Sequence, residues 1–252
     1  MILPWIGALL VGLSLGLMGS GGSILTVPVL IYLAGEQEKV AIAESLGIVG
    51  AISLAGFIPY AFKKQVHWRS VILFGLPGMV GTYGGAIIAG YVSGTFQLML
   101  FAAVMLIAAV MMFRDKKEMN QSGGVSIQHA WWKIVLEGLV VGVLTGLVGV
   151  GGGFLIVPAL VLLGGLPMHL AVGTSLAIIA MKSFSGFFKY IEVLENLNLS
   201  MNWELIFIFS LIGAVGSLVG KTVGAKISNN NLKKGFAVFL VLMGGYIIIM
   251  NI

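Results

Sequence analysis

The sequence predicts an all-α polytopic membrane protein made of two duplicated halves. Of its 252 residues, 59% are hydrophobic and only 9% are charged, whereas charged residues make up about 25% of an average soluble domain. The mean hydropathy is +1.08. Nine acidic and fourteen basic side chains are too few to cover the surface of a soluble protein of this length. We therefore expect the chain to lie in a lipid bilayer.

Composition also excludes several classes of function. The net charge of +5 is not gathered into a basic stripe on a polar domain, so no nucleic-acid partner is expected. The chain has no cysteine, which excludes a disulfide framework, a cysteine zinc site and a thiol nucleophile. The three histidines lie in or beside loops, and no serine-hydrolase or zinc-protease motif is present. We expect no enzymatic activity, no cofactor and no metal.

Long apolar segments divide the chain. A helix needs about 20 residues to cross the hydrocarbon core of a bilayer. Six segments are of this kind: Val40–Phe62, Ser70–Val92, Phe96–Phe113, His169–Ile191, Trp203–Lys226 and Lys234–Ile252. Two longer segments, Ile2–Leu33 and Ile134–Leu163, each contain a glycine cluster. The polar linker, residues 114–133, separates a first repeat, residues 1–113, from a second repeat, residues 134–252, within one integral membrane domain.

The two repeats are related by an ungapped shift of 130 residues. This shift places Gly12–Pro28 on Gly142–Pro158 with nine of seventeen positions identical, and it also pairs Ser45 with Ser175 and Ser53 with Ser183. We interpret the match as an internal duplication. Glycine-interrupted apolar segments at corresponding places in two halves indicate the binding site of a secondary transporter.

The glycines divide into two uses. The spacing at Gly81–Gly85 and at Gly216–Gly220–Gly224 predicts close helix packing. Two denser clusters predict helix breaks, because each glycine costs a helix about 1 kcal/mol relative to alanine. The candidate substrate-binding residues of the first break are Gly19, Ser20, Gly21, Gly22 and Ser23, and those of the second break are Gly149, Gly151, Gly152 and Gly153.

Each broken segment either crosses the membrane once or re-enters it as a hairpin. If each segment crosses once, eight of the twelve Lys and Arg residues outside the span interiors lie on one side of the membrane and four on the other. If each segment is a hairpin, the division is ten and two. The positive-inside rule favours hairpins, and therefore three full crossings per repeat, inverted repeats and a cytoplasmic linker. Non-helical backbone at membrane depth must be buried or line a cavity. We expect the two breaks to line the substrate site.

Free backbone N–H groups after a helix break attract anions. Ser20 and Ser23 add hydroxyls to the first break, whereas the donors of the second break are mainly backbone groups. Two facing breaks would make an anion site near the midplane. A cation bound by exposed carbonyls at the opposite helix ends is the alternative.

Polar residues near the breaks are further candidates. Ser45 and the pair Thr174 and Ser175 lie at matched positions near span starts, where the hydroxyls either contact substrate or bond to the helix backbone. Glu44 is the candidate for proton coupling because it is next to Ser45, although a carboxylate near a span start can also be interfacial.

Lys182 is the most informative single residue. It lies about 20 Å along its span at 1.5 Å per residue, too deep for easy snorkelling. An ionisable group there costs roughly 2.5 kcal/mol or more and is functional or paired. We expect it to contact the substrate or to pair with a carboxylate. Its repeat mate is the apolar Ile52, and Lys221, near a span end, can reach the interface.

The glycine motifs from Gly16 to Pro28 and from Gly146 to Pro158 resemble those of the TauE/SafE family. The stretches Gly173–Leu176 and Gly213–Gly224 are similar to further motifs of that family. The resemblance implies a multi-pass carrier in the prokaryotic cell (inner) membrane that moves sulfite, another sulfur oxyanion or an organosulfonate. A channel for anions or small solutes is the alternative function, and a homodimer is left open.

Overall fold

The computed structural model describes residues 3–18, 22–114, 131–151, 153–158, 160, 166–224 and 229–251. These residues form helices and loops, and no strand occurs among them. The first repeat contains α1 (Leu3–Met18), α2 (Ser23–Tyr32), α3 (Glu38–Phe62), α4 (Trp68–Ser70), a π-helical turn (Val71–Gly75), α5 (Leu76–Tyr91) and α6 (Gly94–Arg114). The second repeat contains α7 (Trp131–Val148), α8 (Gly153–Pro158), α9 (Met168–Asn196), α10 (Trp203–Gly224) and α11 (Asn229–Asn251).

The predicted spans and breaks correspond to observed elements. Four described helices have the length and apolar character needed to cross a membrane: Glu38–Phe62, Trp68–Tyr91, Leu170–Asn196 and Trp203–Gly220. Helix α9 continues five residues past the predicted end at Ile191, because the buried Val193 and Leu194 still pack in the core between the polar Glu192, Glu195 and Asn196. The described residues confirm a helix interruption at each glycine cluster: Gly22 lies in a turn before α2, and residues 149–151 are non-helical after α7.

The helices pack in a pattern that is unchanged when the two repeats are exchanged. Helix α1 packs along α10 of the other repeat, and the corresponding α7 packs along α5. Helix α3 packs on its counterpart α9, and α6 packs on its counterpart α11. The contact between α3 and α10 is matched by the contact between α9 and α5. The two repeats are therefore interlocked around the α3–α9 pair.

Glycines form the helix contacts between the repeats, as their spacing predicts. A Cβ on Gly12 or Gly16 would collide with the backbone of α10, and a Cβ on Gly81 or Gly85 would collide with the backbone of α7. Gly216 and Gly220 likewise face the backbone of α1. These backbones approach more closely than any side chain permits, which is the usual use of small-xxx-small spacing in membrane helices.

The first broken segment doubles back on itself. Gly7, early in α1, lies against Val29 and Leu33, which are at the end of α2. The chain therefore enters and leaves this segment at the same end of the helix bundle.

The second broken segment behaves in the same way at the end where α3 meets α4. Gly138, early in α7, faces the backbone of Phe74. Gly173, early in α9, faces Tyr60 and the carbonyl of Gln65. The chain before the break and the chain after it therefore both start near the α3–α4 loop.

The core lies at the α3–α9 pair, whereas the outer helices expose apolar side chains. The most apolar windows of α3 and α9 are each 72% buried, against 33% for α10. Along α10, Phe207, Leu211 and Val215 are exposed at four-residue spacing, on the helix face opposite the packing glycines. An exposed apolar stripe beside a tightly packed small-residue face is the arrangement expected of a helix that borders lipid.

Candidate functional site

The described part of the site is dominated by the second break. Gly22, Ser23, Gly149, Gly151 and Gly153 are among the described residues. The other predicted glycine-cluster residues, Gly19, Ser20, Gly21 and Gly152, lie outside them.

Gly149 ends α7 with a turn that requires glycine. Its φ of 73° lies in the left-handed region, which favours a residue without Cβ. Its N–H donates to the carbonyl of Thr145 at 2.9 Å, and an added Cβ would collide with Ile42 of α3. The backbone of the second break therefore lies directly against α3.

The last carbonyls of α7 are hydrogen-bonded by side chains from other helices. Gln97 Nε2 donates to the carbonyl of Leu147 at 2.6 Å and to Tyr190 Oη at 2.9 Å. Tyr190 Oη in turn donates to the carbonyl of Gly146 at 3.0 Å. Carbonyls at a helix end have no partner within the helix, so Gln97 and Tyr190 meet this need at a fully buried position. A cation would have to displace these donors to use the same oxygens.

Ser45 and Ser175 both bond to their own helix. Ser45 Oγ lies 2.8 Å from the carbonyl oxygen of Ile42, and Ser175 Oγ lies 2.8 Å from that of Val172. The backbone-bonding alternative is thus observed for both serines. Ser45 Oγ is also within hydrogen-bond distance of the carbonyl of Gly149, so it fastens the second break to α3.

Glu44 and Thr174, which are repeat mates, each accept a hydrogen bond from the loop that follows the helix of the other repeat. The N–H of Asn202 donates to Glu44 Oε1 at 2.7 Å. The N–H of His67 donates to Thr174 Oγ1 at 2.9 Å. Both side chains are fully buried. Glu44 and Thr174 lie near the starts of α3 and α9, whereas Lys182 lies at the middle of α9.

Lys182 is fully buried at the centre of α9. Its aliphatic stem packs against Gly78, and its Nζ lies 5.9 Å from the centroid of the Phe74 ring. Nζ has no hydrogen-bond partner within the described part of the chain. Pairing of Lys182 with a carboxylate was one of two expectations, and no such pair is found among the described residues. In that part of the chain, Lys189 of the same helix pairs with Glu192 at 2.6 Å.

The contacts between α3 and α9 locate the middle of the helix crossing. Leu46 lies against Gly186, Phe184 against Gly50, and Leu176 against Gly56. Residue numbers therefore rise along one helix as they fall along the other. Halfway between the outer contacts, the register brings residues 51–53 opposite residues 179–183. Gly50 is the central residue of α3 and Lys182 that of α9, so the crossing lies at mid-span.

Two serines that the duplication pairs, Ser53 and Ser183, lie at this crossing, and sequence reasoning did not place them in the site. Both are fully buried, and both hydroxyls are without a hydrogen-bond partner among the described residues. A Cβ on Gly151 would lie 3.0 Å from Ser183 Oγ, so this hydroxyl directly adjoins the second break. The sequence signal that could have identified them is the 130-residue shift, which places Ser53 on Ser183.

The described part of the first break resembles the second in its crowding. A Cβ on Gly22 would collide with the backbone of Val11 and Leu15 in α1. Ser23 is fully buried at the start of α2, and Gly153 begins α8. In neither break nor elsewhere among the described residues do three His, Cys, Asp or Glu side chains come together as a metal site would require.

The model of the sulfite exporter TauE/SafE family matches residues 5–247 of the chain. The chain belongs to this family. Several relatives of the chain are named probable membrane transporter proteins. One from Xylella fastidiosa (strain Temecula1) is 31% identical over 95% of this chain and 91% of its own length. Others from Bacillus subtilis and Methanocaldococcus jannaschii are 27% and 25% identical, covering 90% and 96% of this chain and 90% and 94% of their own lengths. No solved structure matches the chain.

Membership of the TauE/SafE family makes this chain a membrane transporter, in agreement with its apolar helices. The names of the relatives carry no substrate, so the identity of the transported solute has to be argued from the residues of the site.

Proposed function

We propose that the chain is a secondary carrier for small anions, with sulfite, another sulfur oxyanion or an organosulfonate as substrate. The observation that carries the proposal is the side-chain nitrogen of Lys182, which is fully buried and has no hydrogen-bond partner among the described residues. An isolated charge in a low-dielectric interior is strongly unfavourable unless an opposite charge accompanies it. A bound anion at mid-span supplies that charge.

The hydrogen bonds of the second break favour an anion over a cation. The carbonyls of Gly146 and Leu147 already accept bonds from Tyr190 and Gln97, and the carbonyl of Gly149 lies within hydrogen-bond distance of the Ser45 hydroxyl. Among the described residues, the groups at the crossing without partners are the hydroxyls of Ser53 and Ser183 and the amino group of Lys182, all of which can donate. We therefore place the substrate between the two breaks, beside Lys182, with backbone N–H groups as further donors.

We infer that the repeats are inverted and that the carrier works by alternating access. Support comes from the packing pattern, which is unchanged by exchange of the repeats, and from the two broken segments, each of which begins and ends near one end of the helix bundle. If both segments re-enter the membrane, three full crossings per repeat remain. An odd number of crossings reverses the orientation of the second repeat. Inverted repeats around a midplane site are a common design of secondary transporters.

The residues at the crossing are buried from both ends of the helix bundle. Ser53, Lys182 and Ser183 each have 0% of their surface exposed. An occluded site of this kind suits a carrier, because a channel needs a continuous path. We assign the prokaryotic cell membrane as the location, with the linker in the cytoplasm and the start of α1 and the end of α11 outside.

Glu44 remains our candidate for proton coupling. Its Oε1 accepts the Asn202 bond, whereas its Oε2 is buried without a partner among the described residues. A carboxyl group in this setting can take up a proton without losing the bond to the loop. Its test is whether Glu44→Gln abolishes the acceleration of uptake by an imposed proton gradient while leaving counterflow intact.

The experiment that tests the function is counterflow of radiolabelled sulfite in proteoliposomes. A carrier exchanges internal for external substrate, so preloading with unlabelled sulfite accelerates uptake. Uptake that is indifferent to preloading would indicate the channel instead. A thermal-shift panel of sulfite, thiosulfate, sulfate, organosulfonates and carboxylates on the purified protein identifies the ligand, because a ligand that binds the folded state stabilises it. Absence of stabilisation by every sulfur compound in the panel refutes the proposed substrate class.

A further inference from the structure

The hydroxyls of Ser53 and Ser183 differ from those of three other buried residues of the helices, Ser45, Thr82 and Thr145. Ser45, Thr82 and Thr145 each donate to a carbonyl three or four residues earlier, at 2.7 to 2.8 Å. This is the ordinary way for a helical hydroxyl to satisfy itself. Ser53 and Ser183 occupy comparable positions inside helices, yet neither makes this bond.

Leaving these hydroxyls without a partner is costly. A buried polar group without a hydrogen bond loses its interaction with water and gains nothing in return. The same cost recurs at two positions that the 130-residue shift superimposes. A feature that is retained in both copies of a duplication, and that lowers stability in each, points to a ligand.

The two serines are also well placed to meet one ligand. Both lie within two residues of the point where α3 and α9 cross at mid-span, as the contacts of Gly50 and Gly56 fix the register. Ser183 adjoins Gly151 in the second break.

We propose that Ser53 and Ser183 are substrate-binding residues that donate their hydroxyl protons to two oxygens of one bound oxyanion, one from each repeat. This inference rests on the proposed transport of anions and adds to it the neutral donors of the site. Sulfite and sulfonates have three oxygens on one sulfur atom, so two hydroxyls and the ammonium of Lys182 can each take a different oxygen. Ser45, Thr174 and Ser175 are then positioning residues, because their hydroxyls are engaged with backbone groups.

The test compares Ser53→Ala and Ser183→Ala with the matched control Ser217→Ala. Ser217 is also buried, at 2% exposure, and its hydroxyl also lacks a partner in the described residues, but it lies in the α10 packing face. Sulfite dissociation constants are measured on purified protein, together with melting temperatures without sulfite. We expect Ser53→Ala and Ser183→Ala each to weaken sulfite binding about tenfold or more, since each loses a hydrogen bond to a charged group.

The melting temperature without sulfite separates binding from structure. Removing an unpartnered hydroxyl should leave the melting temperature of all three alanine variants unchanged or higher. Unchanged sulfite binding in Ser53→Ala and Ser183→Ala, or weakening equal to that of Ser217→Ala, overturns the inference. If an alanine variant does not fold, Ser53→Cys and Ser183→Cys give the same comparison with a weaker donor of similar shape. Lack of sulfur-anion binding by the wild type would instead refute the proposed function itself.

Discussion

Replacing Lys182 by methionine tests the central electrostatic feature of the molecule. The repeat mate of Lys182 is Ile52, and the two side chains pack in corresponding ways: Lys182 against Gly78 and Ile52 against Gly213. An apolar side chain therefore already fills the equivalent position in the other repeat. Lys182→Met keeps the unbranched stem and removes only the ammonium, so we expect the variant to fold.

The expected effects on ligand binding and on stability have opposite signs. Loss of a charged partner at a buried site costs about 3 kcal/mol, which weakens anion binding about 100-fold. At a sulfite concentration 100 times the wild-type dissociation constant, ligand stabilises the wild type by about 2.7 kcal/mol but the variant by only about 0.4 kcal/mol. Without ligand, the variant should be as stable as the wild type or more stable, because an unpaired buried charge is gone.

The assay is thermal unfolding of detergent-purified protein with and without sulfite, followed by counterflow in liposomes. Lys189→Met is the control, since Lys189 lies seven residues further along α9 and is paired with Glu192 at 2.6 Å. We expect the control to keep the full sulfite-induced shift. A shift in Lys182→Met equal to that of the wild type would refute the assignment of Lys182 to the site.

Two other substitutions test the scaffold by thermal unfolding. Gly84→Ala should be tolerated or should stabilise the protein by up to about 1 kcal/mol, because no atom lies within 4 Å of its Cβ position. Gly85→Ala should destabilise the protein by about 1–3 kcal/mol, because the added Cβ collides with Val143. Equal melting temperatures of the two variants would contradict the packing. Tyr190→Phe should destabilise by about 1–3 kcal/mol, because the carbonyl of Gly146 loses its donor in a buried setting; an unchanged melting temperature would mean that this carbonyl is satisfied in another way.

Features set by local sequence could be predicted. Span positions follow from apolar length, the two interruptions follow from glycine density, and the packing role of Gly81 and Gly216 follows from their spacing. Each of these signals is contained within a single helix or segment. The inward placement of Lys182 was also predictable, because an ionisable side chain so deep in an apolar span is too costly to expose to lipid.

Features set by contacts between the repeats could not be predicted. Ser45 and Ser53 look equivalent in the sequence, yet one bonds to backbone and holds the second break while the other lacks a partner in the described residues. The difference depends on which face of α3 meets α9. Likewise, nothing near Glu44 in sequence indicates its bond to Asn202, because that residue lies in a loop of the other repeat.

The contrast between Ile52 and Lys182 gives a final prediction about symmetry. The scaffold treats the two positions alike, since each side chain packs on a glycine at the corresponding place in the other repeat. The charge, however, is present in only one repeat. If the substrate lies at the crossing of α3 and α9, a lysine on either helix should be able to contact it.

We therefore expect the double variant Ile52→Lys, Lys182→Ile to transport sulfite with a KM within about tenfold of the wild type, while Lys182→Ile alone loses transport. Counterflow in liposomes at matched protein content measures both. Rescue by the exchanged lysine requires a site that side chains at positions 52 and 182 can both reach, because only then can one amino group replace the other at the same ligand. A double variant that is as inactive as Lys182→Ile, yet melts at the wild-type temperature, would place the anion within reach of Lys182 alone.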